Sequence, residues 1–344
     1  MSCLNNNKIS HQASEGQSFS EQARVIIETV NYVFLCNIFA LFGIVGNNIN
    51  IIVFYKQGLT SSINISFLSL AISDLCSLVA LLWFNVLANP LFKNADIPMV
   101  PSEFEHLTGG SPHSSFARIT CMITAYVTAE RCLCITLPLK IKQIITPRRA
   151  ALIICFIYIL HITALVPEYV AFYIDWKFYP ETNKTLLGLV PTALYDKASG
   201  ITFLLFGVYI LVSFSALIIF TITLIVKLRQ KTKWRKESTH DNKQSETLSS
   251  RDQKSINMVI VIASFLIVCY MPAVVFGVAV YIVPGLYVVG KYSNLFFVTW
   301  SFAFALDSFN SSVSILLYNK MSSKYRTTFH DLFLVCSSSK RQET

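Results

Sequence analysis

The stretch INISFLSLAISDLCSLVALLWFNVLA, residues 63–88, decides the architecture. It carries one charge, Asp74, in a run long enough to cross a hydrocarbon core of roughly 30 Å, which takes about 20 residues of helix. Helix is the form such a run must take, because lipid offers backbone polar groups no partner but one another. Working outward, six further segments meet the same demand: 26–54, 115–137, 150–173, 201–226, 256–282 and 292–318. The sequence therefore predicts an all-α membrane protein, a seven-transmembrane helix bundle over 26–318. Flanking it are an N-terminal tail over 1–25, a polar loop over 227–254 inside the bundle region, and an amphipathic membrane-surface helix and tail over 319–344. Gly109, Gly110 and Pro112 precede the third predicted span and either start it earlier or unwind its outer end.

Composition agrees. The chain is 53% hydrophobic and 14% charged, against the roughly 25% charge of a soluble domain. A net charge of +9 suits either nucleic acid or a membrane with basic loops on one side, and the apolar runs decide for the membrane, with no nucleic-acid partner. Lys56, then Lys140, Lys142, Arg148 and Arg149, then the run 227–254 and the tail from Lys320 fall on alternate loops, which the positive-inside rule keeps cytoplasmic. This predicts a multi-pass plasma-membrane protein with its N-terminus outside. The polar first twenty or so residues hold no apolar signal core, so the first span is expected to act as the targeting signal. Asn183-Lys184-Thr185 is then an extracellular glycosylation sequon, while Asn64-Ile65-Ser66 fits the same pattern on the inner side, where it has no such meaning. Of nine cysteines, Cys36, Cys76, Cys121, Cys155 and Cys269 lie in apolar runs as small hydrophobes, and no disulfide framework is read. Ser238, Thr239, Ser245, Thr247, Ser249 and Ser250 offer phosphorylation sites in the polar loop.

A charge at bilayer depth is expensive and marks function by default. Asp74, Arg118, the pair Glu130-Arg131 and Asp307 stand out. Asp307, Asn310, Ser311, Ser314 and Tyr318 recur at helical spacing and form one polar stripe. His113, Ala117, Thr120, Thr124 and Arg131 form a matching one on the third span, and together the stripes predict a hydrated seam through the bundle.

The same residues carry a family resemblance. Gly46-Asn47, Leu70-Ala71-Ile72-Ser73-Asp74, Glu130-Arg131-Cys132, Cys269-Tyr270-Met271-Pro272, the run from Asn310 to Tyr318, and Tyr325-Arg326-Thr327-Thr328-Phe329 stand in order at the right ends of the right spans. The chain thereby resembles the rhodopsin-like (class A) G-protein-coupled receptors. That resemblance implies a receptor passing an extracellular ligand signal to a heterotrimeric G protein, with arrestin and kinases as further partners. It implies that Glu130 and Arg131 hold the resting state and that Arg131 then meets the G protein, with Pro272, Asn310 and Tyr318 in the activation path. It implies an allosteric sodium ion at Asp74, Thr120, Asn310 and Ser314, oxygen donors suited to a hard cation. His113, Ala117, Tyr270 and Asp307 fall at ligand-facing positions, and Cys336, after the amphipathic stretch, at a palmitoylation position. In flavour the chain is similar to invertebrate, molluscan-type chemosensory and RFamide-type peptide receptors.

The departures are specific. No cysteine lies between Cys76 and Cys121 or between Cys155 and Cys269, so the family's extracellular disulfide cannot form, and a looser outer surface is expected. Tyr270 replaces the family's Trp and Ser314-Ile315 its Asn-Pro. No lysine is embedded in the seventh span, which argues against a retinal Schiff base, and His113 stands where amine receptors carry Asp. Asp307 is expected to be the counter-ion of a basic ligand, such as the Arg of an amidated peptide, or of Arg118, which helical spacing puts about a hundred degrees off the inner stripe. A transporter or channel using the polar seam is the competing class, disfavoured by the absence of an internal repeat. Enzyme chemistry is not expected, since the histidines are scattered and no Cys-His-acid set lies on one side of the membrane.

Overall fold

A computed structural model of the chain describes residues 20–137, 140–238 and 250–333. Its burial pattern is that of a membrane bundle. On the first helix, Ile38, Leu41 and Val45 stand exposed on the outer surface, whereas Ala40, Gly43, Gly46, Asn47 and Asn50 face inward and are buried. Apolar side chains outside and small or polar ones inside is the arrangement lipid favours.

The helices are α1 (Glu21–Lys56), α2 (Ser62–Ala88), α3 (Pro101–Thr136), α4 (Pro147–Val170), α5 (Tyr195–Ser238), α6 (Ser250–Ile282), α7 (Ser293–Met321) and α8 (Ser323–Phe333). Among the described residues, α1 to α6 are long and apolar enough to cross a membrane by length and composition. The seventh, α7, has the length (29 residues) but dilutes its apolarity with the stripe from Asp307 to Tyr318. The bundle closes as α1 packs on α2 and α7, α2 on α3 and α4, α3 on α4, α5 and α6, and α6 on α5 and α7. Helix α3 is thus ringed by four neighbours.

Several helices start or stop away from the predicted limits. The first begins at Glu21 rather than near residue 26, capped by the Ser20 hydroxyl on the Ala23 N–H, and runs through a π-helical segment, Val30–Cys36. The third begins at Pro101, fourteen residues before the predicted 115 in this numbering, and takes up its Gly109-Gly110 pair in a second π-helical turn, His106–Gly110. The fourth breaks after Thr163, resumes over Val166–Val170 and ends before the predicted 173. The fifth runs past its predicted span to Ser238 and the sixth begins at Ser250, as expected of basic segments that extend these two helices.

An element without a helical counterpart in the sequence reading lies between α4 and α5. It is an antiparallel hairpin of β1 (Phe172–Tyr179) and β2 (Lys184–Pro191), in register from Phe172–Pro191 to Tyr179–Lys184. Asn183, at its turn, has a φ of 52°, a left-handed conformation that Asn tolerates. The segment before α3 adds to the edge of β2, with the Val100 N–H donating to Leu187 O at 3.0 Å and the Leu187 N–H to Pro98 O at 2.9 Å.

Candidate functional site

Three polar layers stack along the bundle. At the C-terminal side, Glu130 and Arg131, neighbours on the last turns of α3, form a buried ion pair. The Ser62 hydroxyl at the start of α2 donates to the same Glu130 Oε1 at 2.5 Å. The pair therefore ties α3 to α2, and the second Glu130 oxygen has no partner among the described residues. Beside it Tyr318 of α7 is packed by Phe54, edge-on at 4.9 Å between centroids, and by Phe67 at 5.2 Å. The first turn of α8 completes this layer. Tyr325 is fully buried and its hydroxyl donates to Asn50 Oδ1 of α1 at 2.6 Å.

About three turns of α3 further in, Asp74 Oδ1 accepts the Thr120 hydroxyl at 2.9 Å and the Ser311 hydroxyl at 3.1 Å. Ser73 adds a 2.6 Å contact to Thr120. A cavity of about 20 Å³ adjoins the carboxylate and is lined by Asp74, Thr120, Thr124, Asn310, Ser314 and Tyr318 with four apolar side chains. That volume admits about one water-sized occupant. The four residues expected to hold sodium do meet here, and Ser311 joins them. The single Ser314 hydroxyl proton has two acceptors in reach, Asn47 Oδ1 and Ser311 O, each at 3.2 Å. The donor set, one carboxylate with hydroxyl and amide oxygens, fits a hard cation.

The third layer holds the residues expected to face a ligand. His113 is fully buried and committed to packing. Its Nδ1 lies 2.8 Å from the Ser77 hydroxyl of α2, and its ring meets Phe304 of α7 edge-on at 4.6 Å, while Nε2 finds no partner among the described residues. Ala117 packs with Cys121, Phe214, Leu217 and Tyr270 in an apolar cluster between α3, α5 and α6. Tyr270, two residues before Pro272 inside α6, is buried with its ring 6.1 Å from Phe214. Asp307 is buried and forms no hydrogen bond or ion pair within 4.0 Å among the described residues. The internal Arg118–Asp307 ion pair, one of the two alternatives read from sequence, is absent. Arg118 is not turned out toward lipid either. It is buried, with its guanidinium 4.1 Å from the centre of the Phe206 ring on α5.

Above this layer the hairpin is held by Glu103 in the first turn of α3. Its carboxylate accepts the Leu189 N–H at 2.6 Å, the Tyr179 hydroxyl at 2.8 Å and Lys177 Nζ at 3.1 Å. Burial works to lower the Lys177 pKa, but the bonds to Glu103 and Tyr179 outweigh it and hold it above the ordinary lysine value. No disulfide joins two described cysteines. The outer surface expected to be loose is instead fastened by this carboxylate. Asn183 is exposed at the hairpin turn; Cys336 lies outside the described residues.

Seven long helices, six of them apolar enough to cross a membrane by length and composition, with a polar seam and a short helix after the last, define a multi-pass helical membrane bundle. A family model described as "Serpentine type 7TM GPCR chemoreceptor Srw" matches residues 31–336, and the chain belongs to that family of G-protein-coupled receptors. It is also 30% identical over 154 residues to the "Galanin-like G-protein coupled receptor npr-9" of Caenorhabditis elegans. That match covers 44% of this chain and 32% of the relative, so the chain spans about a third of the length of the curated relative it matches.

Proposed function

We propose that this chain lies in the plasma membrane with its N-terminus outside, binds an extracellular ligand and passes the signal to a heterotrimeric G protein at its C-terminal side. The observation that carries this reading is the stacking of three polar layers along one seam, from Asp307 through Asp74 to Glu130–Arg131, inside a chain of the Srw family. The family description favours a chemosensory ligand, and the name of the nematode relative a peptide. The basic loop and tail, together with the hairpin carrying Asn183 on the opposite side, support the orientation. Asn183 then takes a glycan. Cys336 takes a palmitoyl group, and the loop serines and threonines engage kinases and arrestin.

The cavity beside Asp74 supports a sodium ion held by Asp74, Thr120, Asn310 and Ser314. Arg131, released from Glu130, would be the group that meets the G protein, with Pro272, Asn310 and Tyr318 carrying the movement of α6 and α7. The test is a second-messenger screen of peptide and odorant libraries on cells expressing the chain, repeated with Arg131→Ala. Ligand-dependent signalling lost in the variant at equal surface expression is expected. An undiminished response would remove Arg131 from the coupling step, and ligand-independent ion flux through the wild type would favour a channel.

A further inference from the structure

Two opposite charges are buried in the outer half of the seam without touching. Arg118 is 5% exposed and Asp307 9%. They influence each other electrostatically, yet no ion pair within 4.0 Å joins them. Neither has another charged partner at that distance among the described residues. Buried ions are normally paired, because each loses its hydration on burial, so two unpaired ones within electrostatic reach of each other are open to a partner that supplies both charges.

The surroundings narrow what that is. Arg118 Nε has no partner among the described residues, and its guanidinium rests against Phe206, which occupies the face of the cation and leaves the in-plane N–H donors for an acceptor. Glu168, the other carboxylate that Arg118 feels, is engaged through one oxygen: its Oε1 accepts the Ser111 hydroxyl at 2.6 Å and lies 3.5 Å from His106 Nε2, while Oε2 has no partner among the described residues. Tyr270 of α6 lies within the electrostatic reach of both Arg118 and Asp307. Further unpartnered buried atoms, His161 Nε2 on α4 and Thr202 Oγ1 on α5, lie on the elements packed around α3. A purely basic ligand would answer Asp307 and leave Arg118 repelling it. An uncharged one would answer neither.

We infer that the ligand is a small zwitterion, of the kind an amino acid or a short peptide with free ends presents, its carboxylate received by the Arg118 fork and its amine by Asp307. The inference rests on reading Arg118, Tyr270 and Asp307 as facing the ligand. A planar carboxylate matches the guanidinium with two parallel hydrogen bonds, and a ligand ammonium supplies the donors that the Asp307 carboxylate lacks. Tyr270, within electrostatic reach of both poles and two residues from Pro272, would feel the ligand arrive and transmit this to α6.

The test is thermal melting of the full-length purified receptor against a panel of the common amino acids and their dipeptides, each also supplied as its methyl ester and its N-acetyl derivative. At least one zwitterion is expected to raise the melting temperature, with its ester and N-acetyl forms binding about tenfold or more weakly. Arg118→Gln should remove the preference for free acid over ester, and Asp307→Asn the preference for free amine over N-acetyl. Arg118→Lys keeps the charge without the fork and should retain part of the first preference, which serves if the glutamine variant fails to fold. Whether amino acids or dipeptides stabilise most separates the two sources. Stabilisation confined to esterified, amidated or uncharged compounds, no stabilisation by any compound of the panel, or preferences unchanged in the variants overturns the inference. So does a swapped Arg118→Asp, Asp307→Arg protein whose ligand-free melting returns to wild type after each single change has lowered it, because that would show a water-bridged internal pair. Failure of Arg131→Ala to affect signalling, with the zwitterion preference intact, would strike the coupling role alone.

Discussion

The Glu103 carboxylate, in the first turn of α3, accepts the main-chain N–H of Leu189 in the hairpin at 2.6 Å, across 86 residues of sequence. Lys177 and Tyr179 converge on the same group, so one side chain holds both strands. Glu103→Gln keeps the shape but gives up charge-assisted bonds, and each such bond contributes about 1.5–3 kcal/mol. Discounted for the partial exposure of the pair, a local loss of about 1–2 kcal/mol is expected. Hydrogen exchange at Leu189 and its neighbours should accelerate by about tenfold while the transmembrane helices keep their protection. Equal exchange in both proteins would show that the strand pairing alone holds the hairpin.

The cavity beside Asp74 predicts a cation dependence. A ligand that binds only the folded state stabilises it by RT ln(1 + [L]/Kd), about 1.4 kcal/mol at ten times the Kd. Purified receptor should therefore melt at a higher temperature in sodium chloride than in choline chloride at the same ionic strength, and Asp74→Asn should erase the difference. Ser311→Ala should reduce it too, since Ser311 bonds the same carboxylate oxygen as Thr120. Identical melting in the two salts would argue against a sodium site.

These layers were legible in the sequence to different depths. The family resemblance brought Asp74, Thr120, Asn310 and Ser314 together, with helical spacing placing Thr120, Asn310 and Ser314 on inner stripes, and the cavity lining matches. For Arg118 the same arithmetic gives an angle but not what lies there. A position about a hundred degrees off the stripe would meet lipid on a peripheral helix, but α3 is ringed by α2, α4, α5 and α6, so there it meets Phe206. The hairpin was missed because β1, with Tyr173, Ile174, Trp176 and Phe178 exposed, has no clean alternation to announce a strand. Glu103 gave no signal at all, since its partners are distant in sequence and one of them is a backbone amide.

Gly109 lets α3 approach α2 at backbone distance. A Cβ there would stand 2.8 Å from both N and Cα of Phe84, closer than real side chains come, and the obstacle is main chain rather than a movable side chain. Gly109→Ala is expected to lower stability by about 1–3 kcal/mol, the usual range for overpacking, read as a fall in melting temperature. Trimming the neighbour in a Gly109→Ala, Phe84→Leu double variant should not restore it. Recovery in the double variant would mean that the Phe84 ring, not its backbone, sets the limit.

Tyr325 anchors α8 by donating its hydroxyl to Asn50 of α1 at 2.6 Å from a fully buried ring. Tyr325→Phe removes only that bond and leaves the Asn50 oxygen without this donor, a loss of about 1–3 kcal/mol. Because the bond joins α8 to α1 alone, the effect should be local. Exchange of the α8 amides should speed up well before any change in α3 or α6, and uniform acceleration across the bundle would contradict this.

The Ser62 hydroxyl and Arg131 share one oxygen of Glu130, so the resting position of Arg131 depends on a residue of α2 that carries no charge. Ser62→Ala removes one hydrogen bond to a carboxylate, about 1.5–3 kcal/mol in a buried setting, and leaves the ion pair itself in place. If that bond exists only in the resting arrangement, the population of the released state rises by about tenfold or more. Cells expressing Ser62→Ala should then show raised ligand-independent second-messenger output at equal surface expression, and adding Arg131→Ala should return it to background. Unchanged basal output from Ser62→Ala would mean that the bond persists in both states and merely fastens α2 to α3. Output that rises but survives Arg131→Ala would place the G-protein contact on another residue.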